Sequence, residues 1–245
     1  MGGTHSKRLM DLAKEILNAE RKAKDIYQRY VRIIKDESIK QELSNILRDE
    51  EEHIQLATEV LSLLQYGSDY SKVIKGLDVF TEASSLLILC GVENYFKVNR
   101  IILKYLINEK GFRCIYVTIN KPSTTLREAF KREDIHVNNL FFIDCTTINM
   151  GIKGTVIAKP ENLSDISMKI GRLVRKIKEE KFVYLDTVST LYIFHPTNIV
   201  ERFIHHIISR LKMAKSSFIM VAVKEEMDKR SMAVLKSFVD HEIKL

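Results

Sequence analysis

The stretch Ser85–Arg100, SLLILCGVENYFKVNR, constrains this chain more than any other. Leu86 to Cys90 is an unbroken apolar run of strand length. Gly91 opens a turn, and a helix is expected from about Tyr95. Strand, tight turn and helix in succession form the repeating unit of a parallel α/β sheet, and a phosphate group binds at the helix N-terminus after such a first strand. A loop that cradles phosphate has the spacing G-x-x-x-x-G-K-[ST]. The glycines let backbone approach, the Lys supplies charge and the hydroxyl holds Mg²⁺. Gly91 and Lys97 meet that spacing, but Phe96 replaces the second Gly and Val98 replaces the hydroxyl. The place is that of a nucleotide site, with much of its chemistry missing.

The rest of the chain after residue 84 alternates strand and helix. Strands are expected at Arg113–Ile119, Leu140–Asp144, Thr155–Ala158 after a Gly-containing segment, Phe182–Asp186, Ser217–Val223 and Val239–Lys244. Helices are expected at Ser123–Glu133, with a Thr125-x-x-Glu128 start, at Leu163–Glu180 and at Thr197–Ala214. This order means a mainly parallel sheet flanked by helices.

Residues 5–35 read as one amphipathic helix. Leu9, Leu12, Ile16, Ala23, Tyr27, Tyr30 and Ile34 recur at spacings of three and four. Ser38 and Gln41 form a capping box that starts a second helix. That helix carries Ile39, Leu43, Ile46, Ala57, Val60 and Leu64 on its stripe and stops at Gly67. Glu20 interrupts the first stripe; Glu50 and His53 interrupt the second. Ionisable groups on a buried seam are costly unless paired or bound to metal. A Glu from one helix with a Glu-x-x-His from the next is half of a di-iron carboxylate site. The alternative is a Glu–His pair that does no more than hydrogen-bond.

Glu20, Tyr27 and the run Asp49-Glu50-Glu51-Glu52-His53 resemble the first half of a rubrerythrin-type, ferritin-like protein over about residues 10–65. The resemblance implies iron or manganese held by Glu20, Glu50 and His53, with Glu51 and Glu52 exposed. The family carries the motif twice and this chain once, so a complete site would require two chains.

From about residue 75 the chain resembles the KaiC-like branch of the RecA superfamily, of the archaeal type. The passages that carry this are KGLD followed by SSLLILCG, CIYVTINKPSTTLREAF, LFFIDCTT, FVYLDTVSTLYIF, the helix ERFIHHIISRLK and the strand SFIMVAV. The resemblance implies a RecA-like fold that binds ATP. It places Asp186 in the Walker B role, holding Mg²⁺, and Lys97 in the role of the phosphate Lys. The Walker A loop is degenerate, and Asn120-Lys121 replaces the acidic pair near the family's catalytic base. Little ATP binding and no hydrolysis are expected.

The expected organisation is a helical hairpin at 1–66, a linker at 67–84 and an α/β domain at 85–245. The formal charge of +7 lies downstream, since residues 1–66 carry 11 Lys and Arg against 12 Asp and Glu. The densest basic run, Lys169–Lys178, falls on one helix with no interleaved aromatics. It reads as a solvated face, and nucleic acid is not expected as a partner. Cys90, Cys114 and Cys145 match no zinc or disulfide spacing and read as small buried hydrophobes. No apolar run reaches the ~20 residues of a membrane helix, so a cytoplasmic location without membrane contact is expected. Ser189 with His195 or His205 lacks the spacing of a hydrolase.

The reading is a non-catalytic regulatory or signalling protein that self-associates through its hairpin as a homodimer or higher homo-oligomer. Two alternatives stand beside it: a weak ATP-binding ATPase, and a ferritin-like di-iron oxidase or peroxidase.

Overall fold

A computed structural model describes residues 2–78, 80, 82–146 and 154–245. The chain divides into two compact units, Met1–Ser71 and Lys72–Leu245.

The first unit is a helical hairpin of α1 (Gly2–Ile33) and α2 (Glu37–Tyr66). The start of α2 differs from the expected capping box. Asp36 is the N-cap, and its carboxylate accepts hydrogen bonds from the backbone N–H of Ser38 (2.9 Å) and Ile39 (3.1 Å). Gly67 ends α2 at φ +65°, a conformation that favours glycine. The seam is narrower than the stripes suggested. Ala13 and Leu17 are buried on α1, whereas Leu9, Leu12, Ile16 and Tyr30, and Ile39, Val60 and Leu64 on α2, are exposed. Two helices cover only the strip where they touch, so a wide apolar stripe keeps its flanks in water.

The segment 67–84, expected as a linker, carries a third helix, α3 (Ser68–Asp78). In the second unit its end is well anchored: Val73 and Leu77 are buried, and Asp78 accepts a 2.7 Å hydrogen bond from the Tyr105 hydroxyl. Gly76 lies so close to Ile243 that an added Cβ would fall 2.3 Å from its Cδ1.

The second unit is built on a seven-stranded sheet: β1 (Ser85–Cys90), β2 (Arg113–Thr118), β3 (Leu140–Asp144), β4 (Thr155–Ile157), β5 (Lys181–Asp186), β6 (Ser217–Val223) and β7 (His241–Lys244). Every pairing is parallel, and the order is β4-β3-β2-β5-β6-β1-β7. Together with its flanking helices this is a RecA-like α/β fold. β1 and β6 are buried along their whole length, as expected of strands covered on both faces. The Gly-containing segment ahead of β4, residues 147–153, lies outside the described residues.

The helices are α4 (Tyr95–Leu103), which runs on as a π-helical turn over Lys104–Glu109, then α5 (Ser123–Arg132), α6 (Leu163–Lys176), α7 (Val188–Phe194), α8 (Thr197–Met213) and α9 (Lys229–Phe238). The π turn, α7 and α9 were not expected. At α5 no capping box forms at Thr125; the buried Asp144 instead accepts from Ser123 N at 2.7 Å. α6 stops four residues short of expectation because Ile177 turns extended and packs into the core.

Candidate functional site

The parallel register places Thr118 beside Asp186, and Tyr116 beside Tyr184, at the C-terminal ends of β2 and β5. Side chains two apart on a strand share a face, so Tyr116, Tyr184 and Asp186 converge. From the other side comes the first turn of α4, where Tyr95 and Asn99, four residues apart, lie on one helix face.

The result is a closed polar cluster around a carboxylate 1 % exposed. The Tyr95 hydroxyl donates to Asp186 Oδ1 and the Tyr116 hydroxyl to Oδ2. Asn99 Nδ2 approaches Oδ1 at 3.4 Å, and the Tyr184 hydroxyl donates to Asn99 Oδ1 at 2.6 Å. Burial pushes the Asp186 carboxyl above its ordinary range; the two tyrosines, Asn99 and the charge of Lys121 oppose that rise. Burial and the neighbouring carboxylate push the Tyr95 and Tyr116 phenols up, so both hydroxyls keep their protons and remain donors.

Around the turn after β1, the Glu93 carboxylate folds back over Gly91. A Cβ on Gly91 would lie 2.5 Å from Glu93 Oε1. Phe96 is exposed, and the Lys121 ammonium lies 3.7 Å above its ring centre. Lys97 is half-buried, and Val98 is completely buried. Asn120 accepts a 2.7 Å hydrogen bond from Thr190 Oγ1.

Of the expected residues, Asp186 therefore meets the helix that follows Gly91, and it does so through Tyr95 and Asn99. Tyr95, Tyr116 and Tyr184 were not expected at the site. Their signal was present: Tyr184 and Asp186 two apart on a strand, Tyr95 and Asn99 four apart on a helix. The rejected hydrolase grouping has no support, since Ser189 Oγ donates to Glu226 at 2.7 Å and His195 Nε2 lies 2.8 Å from the Pro160 carbonyl.

In the hairpin, Glu20, Glu50 and His53 each bring one ligand-type atom within 4.8 Å of the others. Glu20 Oε2 is 3.7 Å from His53 Nδ1. Glu50 Oε2 is buried without a hydrogen-bond partner. Burial, then the adjacent Glu20, raises the Glu50 carboxyl above its ordinary range. Glu51 and Glu52 are exposed, and Glu51 pairs with Lys24 at 2.7 Å.

Among the described residues no helix is long and apolar enough to cross a membrane. No curated protein matches the chain. A family model described as "ATPase: KaiC" matches residues 74–245. Among solved structures, the crystal structure of a KaiC-like protein from the hyperthermophilic archaeon Pyrococcus horikoshii OT3 matches at a TM-score of 0.50. It is 12 % identical, over 67 % of this chain and 71 % of that one.

Proposed function

The chain belongs to the KaiC family of ATPases, and on that premise we propose that it is a non-catalytic, regulatory member. The observation that carries this reading is the enclosure of Asp186. A Walker B carboxylate must face Mg²⁺, and here both oxygens accept from tyrosine hydroxyls of the same chain. The degenerate Walker A loop agrees. Phe96 and the buried Val98 replace the glycine and the hydroxyl, and Glu93 places negative charge over Gly91, where phosphate would approach. Each lost device is worth roughly 10²-fold or more in rate. The family usually binds nucleotide, so binding and turnover are measured separately. The test is steady-state ATP turnover beside equilibrium binding of a fluorescent ATP analogue. The expected result is no turnover that depends on Asp186. Turnover abolished by Asp186→Ala would overturn the reading.

The hairpin is the proposed means of self-association. Two copies pairing as a four-helix bundle would cover the exposed Leu9, Leu12, Ile16, Val60 and Leu64. Glu20, Glu50 and His53 fit a divalent iron or manganese ion, because the orphaned Glu50 oxygen gains a partner when metal binds. Each chain would supply half of such a site. Light scattering together with elemental analysis tests both claims. A metal-free monomer at tens of micromolar would refute them.

A further inference from the structure

Two arginines in the second unit meet without an acid. On α6, a Cβ added to Gly171 would lie 2.8 Å from Arg210 Nη2 and 3.5 Å from Arg175 Nη1, so guanidinium groups from α8 and α6 gather over one glycine. Arg210 also donates to Ser167 Oγ at 2.7 Å. Neither arginine has a carboxylate partner among the described residues. Asp165 is paired with Lys169, Glu179 with Arg113 and Asp240 with Lys212. Like charges drawn to one point repel, and an anion placed between them removes that cost.

Beside the pair is a cavity of about 280 Å³, lined by Ile170, Val174, Ile207, Leu211 and Met213. Met213 is 86 % exposed, high for an apolar side chain. Arg172 and Lys176 on α6, Lys178 just after it and Lys215 just after α8 are exposed and add positive charge to the same stretches of chain.

We propose that this cavity is a docking site for an acidic peptide segment of a partner protein, with one large aliphatic or aromatic side chain in the pocket and carboxylates on Arg175 and Arg210. The lining favours a peptide anchor: the apolar Ile170, Val174, Ile207, Leu211 and Met213 sit with the charged Arg175 and Arg210, so one segment carrying a large apolar side chain flanked by carboxylates meets both. Nucleic acid fits poorly, because no lining residue is an aromatic ring on which a base could stack.

The test uses the full chain with ¹³C-labelled Ile and Met methyls. The probe is a synthetic acidic decapeptide, Glu and Asp with one central Leu. Its Leu→Ser version and a 12-nucleotide single-stranded DNA are titrated at the same salt. The expected shifts concentrate at Ile170, Ile207 and Met213. Arg175→Ala with Arg210→Ala should weaken the peptide about tenfold or more, and the Ser peptide should bind about tenfold more weakly. Gly171→Ala is the control for folding. It favours the helix and keeps every charge, but displaces the Arg210 guanidinium, so affinity falls while the melting temperature holds or rises. The proposal is overturned if those methyls do not move at millimolar peptide, if Leu and Ser peptides bind alike, or if the oligonucleotide binds more tightly than the Leu peptide.

Discussion

Tyr95→Phe isolates the hydroxyl that faces Asp186. The ring stays, so no cavity opens, and one donor to a buried carboxylate is lost. A hydrogen bond to a charged group contributes about 1.5–3 kcal/mol. Asn99, at 3.4 Å from the same oxygen, is too distant to replace it fully. A loss of about 2 kcal/mol follows, and for a unit of this size it lowers the melting temperature by about 4–8 °C. The effect carries a pH signature. Asp186 has a folded pKa above its ordinary 3.8, so the native state binds the proton more tightly than the unfolded chain. Its contribution to stability is therefore greatest below 3.8, declines as pH rises towards the folded value and levels off beyond it. The Tyr95 hydroxyl lowers that folded value; without it the decline continues to higher pH. The gap between wild type and Tyr95→Phe should widen from pH 3 to pH 8. Urea unfolding followed by circular dichroism at both pH values measures it. A gap under about 0.5 kcal/mol at pH 8, or one no larger than at pH 3, would refute the assignment of this hydroxyl to an ionised Asp186.

Three further outcomes are expected. Asp240 accepts from Ser85 N (2.9 Å), Ser85 Oγ (2.7 Å) and the Lys212 ammonium (2.6 Å), which together overcome burial and hold its carboxyl down at about 2. Its stabilisation is present above the ordinary 3.8 and lost as pH falls towards 2; discounted for exposure, Asp240→Ala should cost about 1 kcal/mol at pH 7 and little at pH 2, by urea titration. Gly76→Ala drives a methyl into Ile243 and should cost about 1–3 kcal/mol, with faster amide exchange along β7. Glu50→Ala with His53→Ala should abolish binding of added Mn²⁺ in calorimetry; retention of the full stoichiometry would place the ion elsewhere.

The sheet was legible because its strands are short apolar runs between turn residues, and Ser217–Val223 is found at its expected bounds. What escaped had a physical cause in each case. α7 buries its first four residues, Val188 to Leu191, in succession, so helical periodicity does not show there. α9 is short and polar at half its positions, though Asp228 caps it through Arg230 N and Ser231 N, each at 2.9 Å. Asp36 took the capping role from Ser38 because either residue suits an N-cap and only the backbone bend decides between them. The strand, turn and helix around Gly91 were readable from the sequence, with β1 ending at Cys90 and α4 starting at Tyr95. The closure of Asp186 was not, because it needs β2, β5 and α4 side by side, a relation fixed by strand order rather than by any local pattern.

That strand order also sets a timetable for synthesis. β1 is the earliest strand made, yet both its neighbours, β6 and β7, come from residues 217–244. The bond that ties Ser85 to Asp240 spans 155 positions. A nascent chain therefore emerges from the ribosome with Leu86–Cys90 unpaired for most of translation, while β2, β3 and β4 can already associate. Such a chain completes its sheet late and slowly. A ribosome stalled before residue 217 would leave an apolar strand open to chaperones and to aggregation.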